Sequence, residues 1–203
     1  MRGELVINLK NLQHNYRALN SLSSENCETA AVVKANAYGL GAAKVAPALA
    51  KAGCDTFFVA YPEEGAVVRG AVGPGPAIFV LNGPSRSTVG LFRAHTLTAV
   101  LSSEAHVALW AETGDLPCAL HFDTGMNRLG LPQGVLGTAS DALHALKPVM
   151  VMSPLACADE AGNAMNEAQR AAFDPIAAAF PGVPASLANS AGCYLGRDYG
   201  YQL

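Results

Sequence analysis

A chain of 203 residues that is 51% hydrophobic and 14% charged is long and apolar enough for one large buried core, which excludes a disordered segment. Its formal net charge of −3 offers no positive field for nucleic acid, "MRGELVINLKNL" lacks the apolar core of a secretion signal, and no run reaches membrane-spanning length. The five cysteines and five histidines are scattered without metal-ligand spacing, so the expectation is reduced thiols in a cytoplasmic protein, packed mostly as small hydrophobes, and no metal.

In chain order, "ELVINL" reads as a separate short strand within residues 1–9, ahead of the first helix. The apolar run Ala30–Val33 follows and ends on Lys34, with Tyr38 four residues beyond it. "GAAKVAPALAKAG" reads as a helix closing on Gly53, and Thr56–Ala60, Ala77–Leu81 and Leu97–Leu101 as further strands. "SSEAHVALWAETG" opens with a serine cap and closes on Gly114. Strands are then expected at Cys118–Phe122, Val149–Ser153 and Ala185–Leu187. The helix "NEAQRAAFDPIAAAF" lies before the last of them and is expected to break near Pro175.

The strand candidates are nearly continuous apolar runs without polar alternation, as in strands buried on both faces. Their starts lie about 20 to 36 residues apart, the spacing of parallel β/α units. The expected class is α/β: a (β/α)8 TIM-type barrel, incomplete at about seven strands, over residues 10–203. An open doubly wound sheet is the alternative.

In such barrels chemistry sits at the C-terminal ends of the strands. Lys34 and Tyr38 follow the first strand, "HFDTGMNRLG" the fifth, "SPLACADE" the sixth and "LANSAG" the seventh. Each has an ordinary structural role open to it. Lys34 can reach into water and Tyr38 can pack. Asp123 can bond its own backbone in a turn, with Gly125 at positive φ, and Asn189 or Ser190 can cap a helix. Taken together they suggest a reaction centre. A lysine held near apolar surface can form a Schiff base with an aldehyde, and a small-residue turn carrying Ser190 suits a phosphate. Pyridoxal 5'-phosphate has both groups and acts as an electron sink, leaving Arg128 for a carboxylate or the cofactor's phenol oxygen.

At these residues the chain resembles the alanine racemases, fold-type-III pyridoxal-phosphate enzymes. "AVVKANAYGLG" is similar to the family's cofactor-lysine motif and "DTGMNRLG" to its second signature. "ACADE" with "MNEAQRAAF", and then "LANSAG", are similar to the third and fourth. The resemblance implies that Lys34 holds the cofactor and acts as one of two catalytic bases. It also implies that Tyr38 and Ser190 bind the cofactor phosphate, and that Arg128 contacts cofactor and substrate. Met126 and Asn189 match motif positions near the site. It implies an alanine substrate, D-alanine supply for peptidoglycan, and a homodimer in full-length members. There a tyrosine from the other subunit's C-terminal β domain acts on the opposite face of the substrate.

Three departures from the family pattern stand out. The chain is expected to be cut before an eighth strand, and to lack the C-terminal β domain with which the strand of residues 1–9 would pair. Weak or absent racemase activity of this length is the corresponding expectation. Pro154 stands where the family usually has a histidine against the cofactor, and His121 where many members carry a lysine. A non-catalytic pyridoxal-phosphate-binding barrel, or a racemase for serine or a broader set of amino acids, are the other readings these motifs allow.

Overall fold

A computed structural model describes residues 3–114 and 116–203. The apolar runs form β1 (Ala31–Val32), β2 (Thr56–Val59), β3 (Ala77–Val80), β4 (Thr98–Leu101) and β5 (Cys118–Asp123). A two-residue β6 (Leu131–Pro132) follows, then β7 (Met150–Met152) and β8 (Ala185–Ser186). Every pairing is parallel, in the order β1-β2-β3-β4-β5-β7-β8, with β6 attached to β5 outside that path.

Alternating side chains explain why the strands read as unbroken apolar runs. Phe58, Phe79, Val100, Ala119 and Met150 point inward and form a separate cluster that fills the lumen. Phe58 and Phe79 stack there at 4.9 Å between ring centroids. Their neighbours Phe57, Val59, Ile78, Val80, Leu120 and Phe122 point outward into the larger core beneath the helices. A sheet with both faces covered has no polar side to show. Thr56, Thr98 and His121 are polar residues on the lumen face, and His121 on β5 is only 4% exposed.

The helices begin where capping chemistry allows. Asn8 Oδ1 accepts from the amides of Lys10 and Asn11 at the start of α1 (Leu9–Asn20). After the short turn α2 (Lys34–Tyr38) and α3 (Ala42–Ala50), Pro62 opens α4 (Pro62–Val72). Then come α5 (Val89–Ala94), α6 (Glu104–Thr113), capped by Ser103 Oγ, α7 (Val135–Ala145) and α8 (Ala164–Ala179).

The strand of residues 1–9 is expected to pair with a C-terminal β domain; Met1 and Arg2 lie outside the described residues, residues 3–8 pair with no strand here, and Leu9 already opens α1. Alternating apolar residues make a strand only against a hydrogen-bonding edge, and Leu5 and Val6 stand 80% and 78% exposed instead. Two expectations are corrected. Pro175 does not interrupt its helix, because α8 runs through it. The buried Phe173 and Ile176 on either side hold that turn against the core, which outweighs one missing hydrogen bond. An open doubly wound sheet is also excluded, since the two ends of the sheet curl toward each other. The Gln202 amide donates to Ala185 O at 3.0 Å while Glu28 N donates to Gln202 O at 2.9 Å, so the tail bridges β8 and the segment entering β1. Among the described residues the ring has seven strands, and this short bridge stands in the gap between the outer two.

All five cysteines are free, with Cys54 and Cys118 buried and the others half-buried. Among the described residues no group of three or more His, Cys, Asp or Glu side chains is placed to hold a metal, and no helix is long and apolar enough to cross a membrane.

Candidate active site

A cavity of about 810 Å³ opens at the C-terminal ends of the strands and runs on along the gap between β1 and β8 to α1, where Leu12, Tyr16 and Leu19 line it. Lys34, Tyr38, Met126, Arg128, Asn189 and Ser190 all line it. His121 and Pro154, two of the departures from the family pattern, line it as well. Three loops distant in sequence thus bring an amine, a phenol, a guanidinium and a hydroxyl to one mouth.

Lys34 is delivered by an unusual backbone. Val33 is buried at the end of β1, its amide bonded to Phe58 O at 2.8 Å, and the chain then reverses hand. Ala35, Asn36, Ala37 and Tyr38 have φ between 50° and 55°, forming one turn of left-handed helix. Such a conformation costs roughly 1–2 kcal/mol per non-glycine residue. The turn is held by Ala37 N to Val33 O at 2.9 Å and Gly39 N to Ala35 O at 3.0 Å. Asn36 Oδ1 accepts from Ala42 N at 2.8 Å, tying the turn to the start of α3. Strain of this kind persists only where the surroundings fix it, and it concentrates at functional sites. Lys34 is left half-buried and Tyr38 63% exposed at the rim.

Glu64 supports the same turn. Its Oε1 accepts from Ala35 N at 2.7 Å, and its Oε2 from Ala60 N at 2.8 Å and Tyr61 N at 3.2 Å. The residue after the lysine is thereby fixed to the end of β2.

Arg128 leaves a tight loop after β5. Asp123 Oδ1 accepts from Gly125 N at 2.9 Å and from Asn127 N at 3.1 Å, so Asp123 does bond its own turn, with Gly125 at φ 139°. The loop returns at Gly130, where an added Cβ would stand 2.5 Å from Asp123 N. Only glycine permits that approach of one backbone to another. Arg128 is exposed and has no ion pair among the described residues.

The floor between β5 and β7 is set by a residue that sequence reasoning missed. Gln169, 1% exposed on α8, donates to Pro154 O at 2.9 Å and to Thr124 Oγ1 at 3.3 Å. Its Oε1 accepts from Ala156 N at 2.8 Å. Thr124 and Ser153 hydroxyls meet at 2.8 Å. The one signal was its place within "MNEAQRAAF".

After β8, Asn189 spends its side chain on structure: Oδ1 accepts from Gly192 N at 2.9 Å and Nδ2 donates to Leu155 O at 3.3 Å. The capping role holds for Asn189, whereas the exposed Ser190 hydroxyl bonds nothing among the described residues. His121 is different again. Among the described residues neither ring nitrogen has a hydrogen-bond partner, and burial pushes its pKa down to about 4, with Asp123 opposing and Arg128 adding to the shift. An orphaned buried polar group on a cavity wall is a feature a bound polar ligand would complete.

The sequence matches the family described as "Alanine racemase, N-terminal domain" over residues 7–203. This chain belongs to the alanine racemase family. It is 47% identical to the alanine racemase of Rhizobium meliloti over 99% of its own length and 54% of that protein's. It is also 47% identical to the catabolic alanine racemase of Mesorhizobium japonicum, over 98% and 54% of the two chains. The chain therefore spans about half the length of the curated relatives it matches. Among solved structures, alanine racemase from Bartonella henselae, which carries covalently bound pyridoxal phosphate, superposes with a TM-score of 0.90 at 34% identity. That match covers 97% of this chain and 59% of the other. The biosynthetic enzyme of Pseudomonas aeruginosa gives 0.86 at 31% identity, over 95% and 55%.

Proposed function

We propose that this chain forms the cofactor-holding half of an alanine racemase site, which uses pyridoxal 5'-phosphate to interconvert L- and D-alanine. The observation that carries the reading is the convergence of Lys34, Tyr38, Arg128 and Ser190 on one cavity of about 810 Å³. The donor set fits the group: an amine for its aldehyde, a phenol and a hydroxyl for its phosphate, a guanidinium for its phenol oxygen, and an unpartnered imidazole at the wall. When bound, the cofactor supplies an electron sink that lowers the cost of removing the α-proton of an amino acid.

The chain's residues divide the remaining work. Lys34 Nζ would hold the cofactor, and as a free amine would take or return the α-proton on one face of the substrate. The left-handed turn sets where that nitrogen stands, and proton transfer is sensitive to misplacement of this kind. Tyr38, after β1, and Ser190, after β8, would hold the phosphate from the two outer strands, and Asn189 contributes by folding the loop that presents Ser190. Arg128 orients the substrate carboxylate and the cofactor ring. Racemisation also needs a base on the opposite face, which we assign to a tyrosine of a C-terminal β domain in a second subunit of a homodimer. The exposed Leu5 and Val6 support the reading that the N-terminal segment pairs with such a domain. The product serves D-alanine supply for peptidoglycan in the cytoplasm.

The names of the 47%-identical relatives support alanine over serine or a broader substrate set, and racemisation over non-catalytic cofactor binding. Absorbance titration of the chain with pyridoxal phosphate tests the reading. A new saturable band near the visible edge, absent from Lys34→Ala, is the expected result; identical spectra for both proteins would overturn it.

A further inference from the structure

We infer that Glu64 is a positioning residue for Lys34, a carboxylate clamp that fixes the left-handed turn on which the lysine's placement depends. The inference rests on the proposed role of Lys34 and adds to it a residue from a different β/α unit. Glu64 sits in the first turn of α4, where a glutamate commonly caps the helix start. Its Oε2 does that work, accepting from Ala60 N and Tyr61 N. Capping leaves Oε1 unexplained. That oxygen reaches 29 positions back along the chain to accept from Ala35 N at 2.7 Å, shorter than either capping bond.

Ala35 is the first residue after the lysine and the first of four consecutive left-handed residues. Val33 O and Ala35 O accept from the amides of Ala37 and Gly39, while the amide of Ala35 donates to Glu64. One carboxylate therefore ties the point where the backbone reverses hand to the end of the neighbouring strand. Glutamine cannot replace it, because its NH2 would face an N–H at one of the two ends.

The test uses the 203-residue chain with Glu64→Gln and Glu64→Ala, and Glu63→Gln as a control that removes a charge from the same helix turn without touching Ala35. Amide hydrogen exchange is followed without cofactor, taking Val100 in β4 as the reference. Exchange at Ala35 is expected to accelerate about tenfold or more in both Glu64 variants, with Val100 and the control unchanged. The rate of pyridoxal-phosphate uptake, read by absorbance, is expected to fall about tenfold in the same variants. Unchanged exchange at Ala35 overturns the clamp. Equal acceleration at Ala35 and Val100 overturns it too, because it marks global loosening. Accelerated exchange with uptake at the wild-type rate overturns the positioning role. If the wild-type chain takes up no cofactor, the reading of Lys34 fails, while selective acceleration at Ala35 still supports the clamp on its turn.

Discussion

Ala185 gives its amide to Gln202 Oε1 at 2.9 Å and accepts the Gln202 amide on its carbonyl at 3.0 Å. With Glu28 N on Gln202 O, this one glutamine joins the two outer strands of a seven-strand ring. Ala185 is buried, so Gln202→Ala leaves its amide without a partner. Urea denaturation is expected to show a loss of about 1 kcal/mol.

Gln169 carries a heavier structural role. Gln169→Leu removes three hydrogen bonds at a 1%-exposed position and strands Ala156 N and Pro154 O. A loss of about 2–4 kcal/mol is expected from chemical denaturation, well beyond that of Gln202→Ala. A loss under about 1 kcal/mol would show that the network does not hold the β7 loop.

His121 makes stability depend on pH. Its pKa is about 4 when folded against 6.5 ordinarily, so between these values the unfolded chain binds more protons. Stability is therefore expected to fall as pH drops from about 6.5 toward about 4, by on the order of 3 kcal/mol. Urea midpoints across that window check the slope. His121→Phe should flatten it.

Gly130→Ala sets a Cβ 2.5 Å from Asp123 N and 2.7 Å from Phe122 C, both backbone atoms, at φ 131°. A destabilisation of about 2 kcal/mol or more is expected in a thermal melt. The same change disturbs the turn that presents Arg128, so weaker pyridoxal-phosphate uptake should accompany it.

Why some of this was legible in the sequence follows from the physics. Strands such as Thr56–Val59 and Ala77–Val80 lie between a filled lumen and a helical layer, and burial on both faces leaves an unbroken apolar run. "ELVINL" carries an apolar pattern too, but without an edge to pair with it forms no strand. Pro175 reads as a helix breaker, yet the packing of Phe173 and Ile176 decides the outcome. Lys34, Tyr38, Arg128 and Ser190 stand within recognisable motifs at strand ends, so their shared cavity was foreseeable. Glu64 and Gln169 act through bonds spanning 29 and 45 positions, which leave no local periodicity. The two-residue β6 is too short to read.

The central claim is that Lys34 is the amine that holds the cofactor. Incubation with pyridoxal phosphate, borohydride reduction and peptide mapping test it most directly. The account predicts a stoichiometric pyridoxyl label on Lys34, lost in Lys34→Ala without transfer to Lys44 or Lys51. A label spread over those surface lysines, or one that persists in Lys34→Ala, would contradict it.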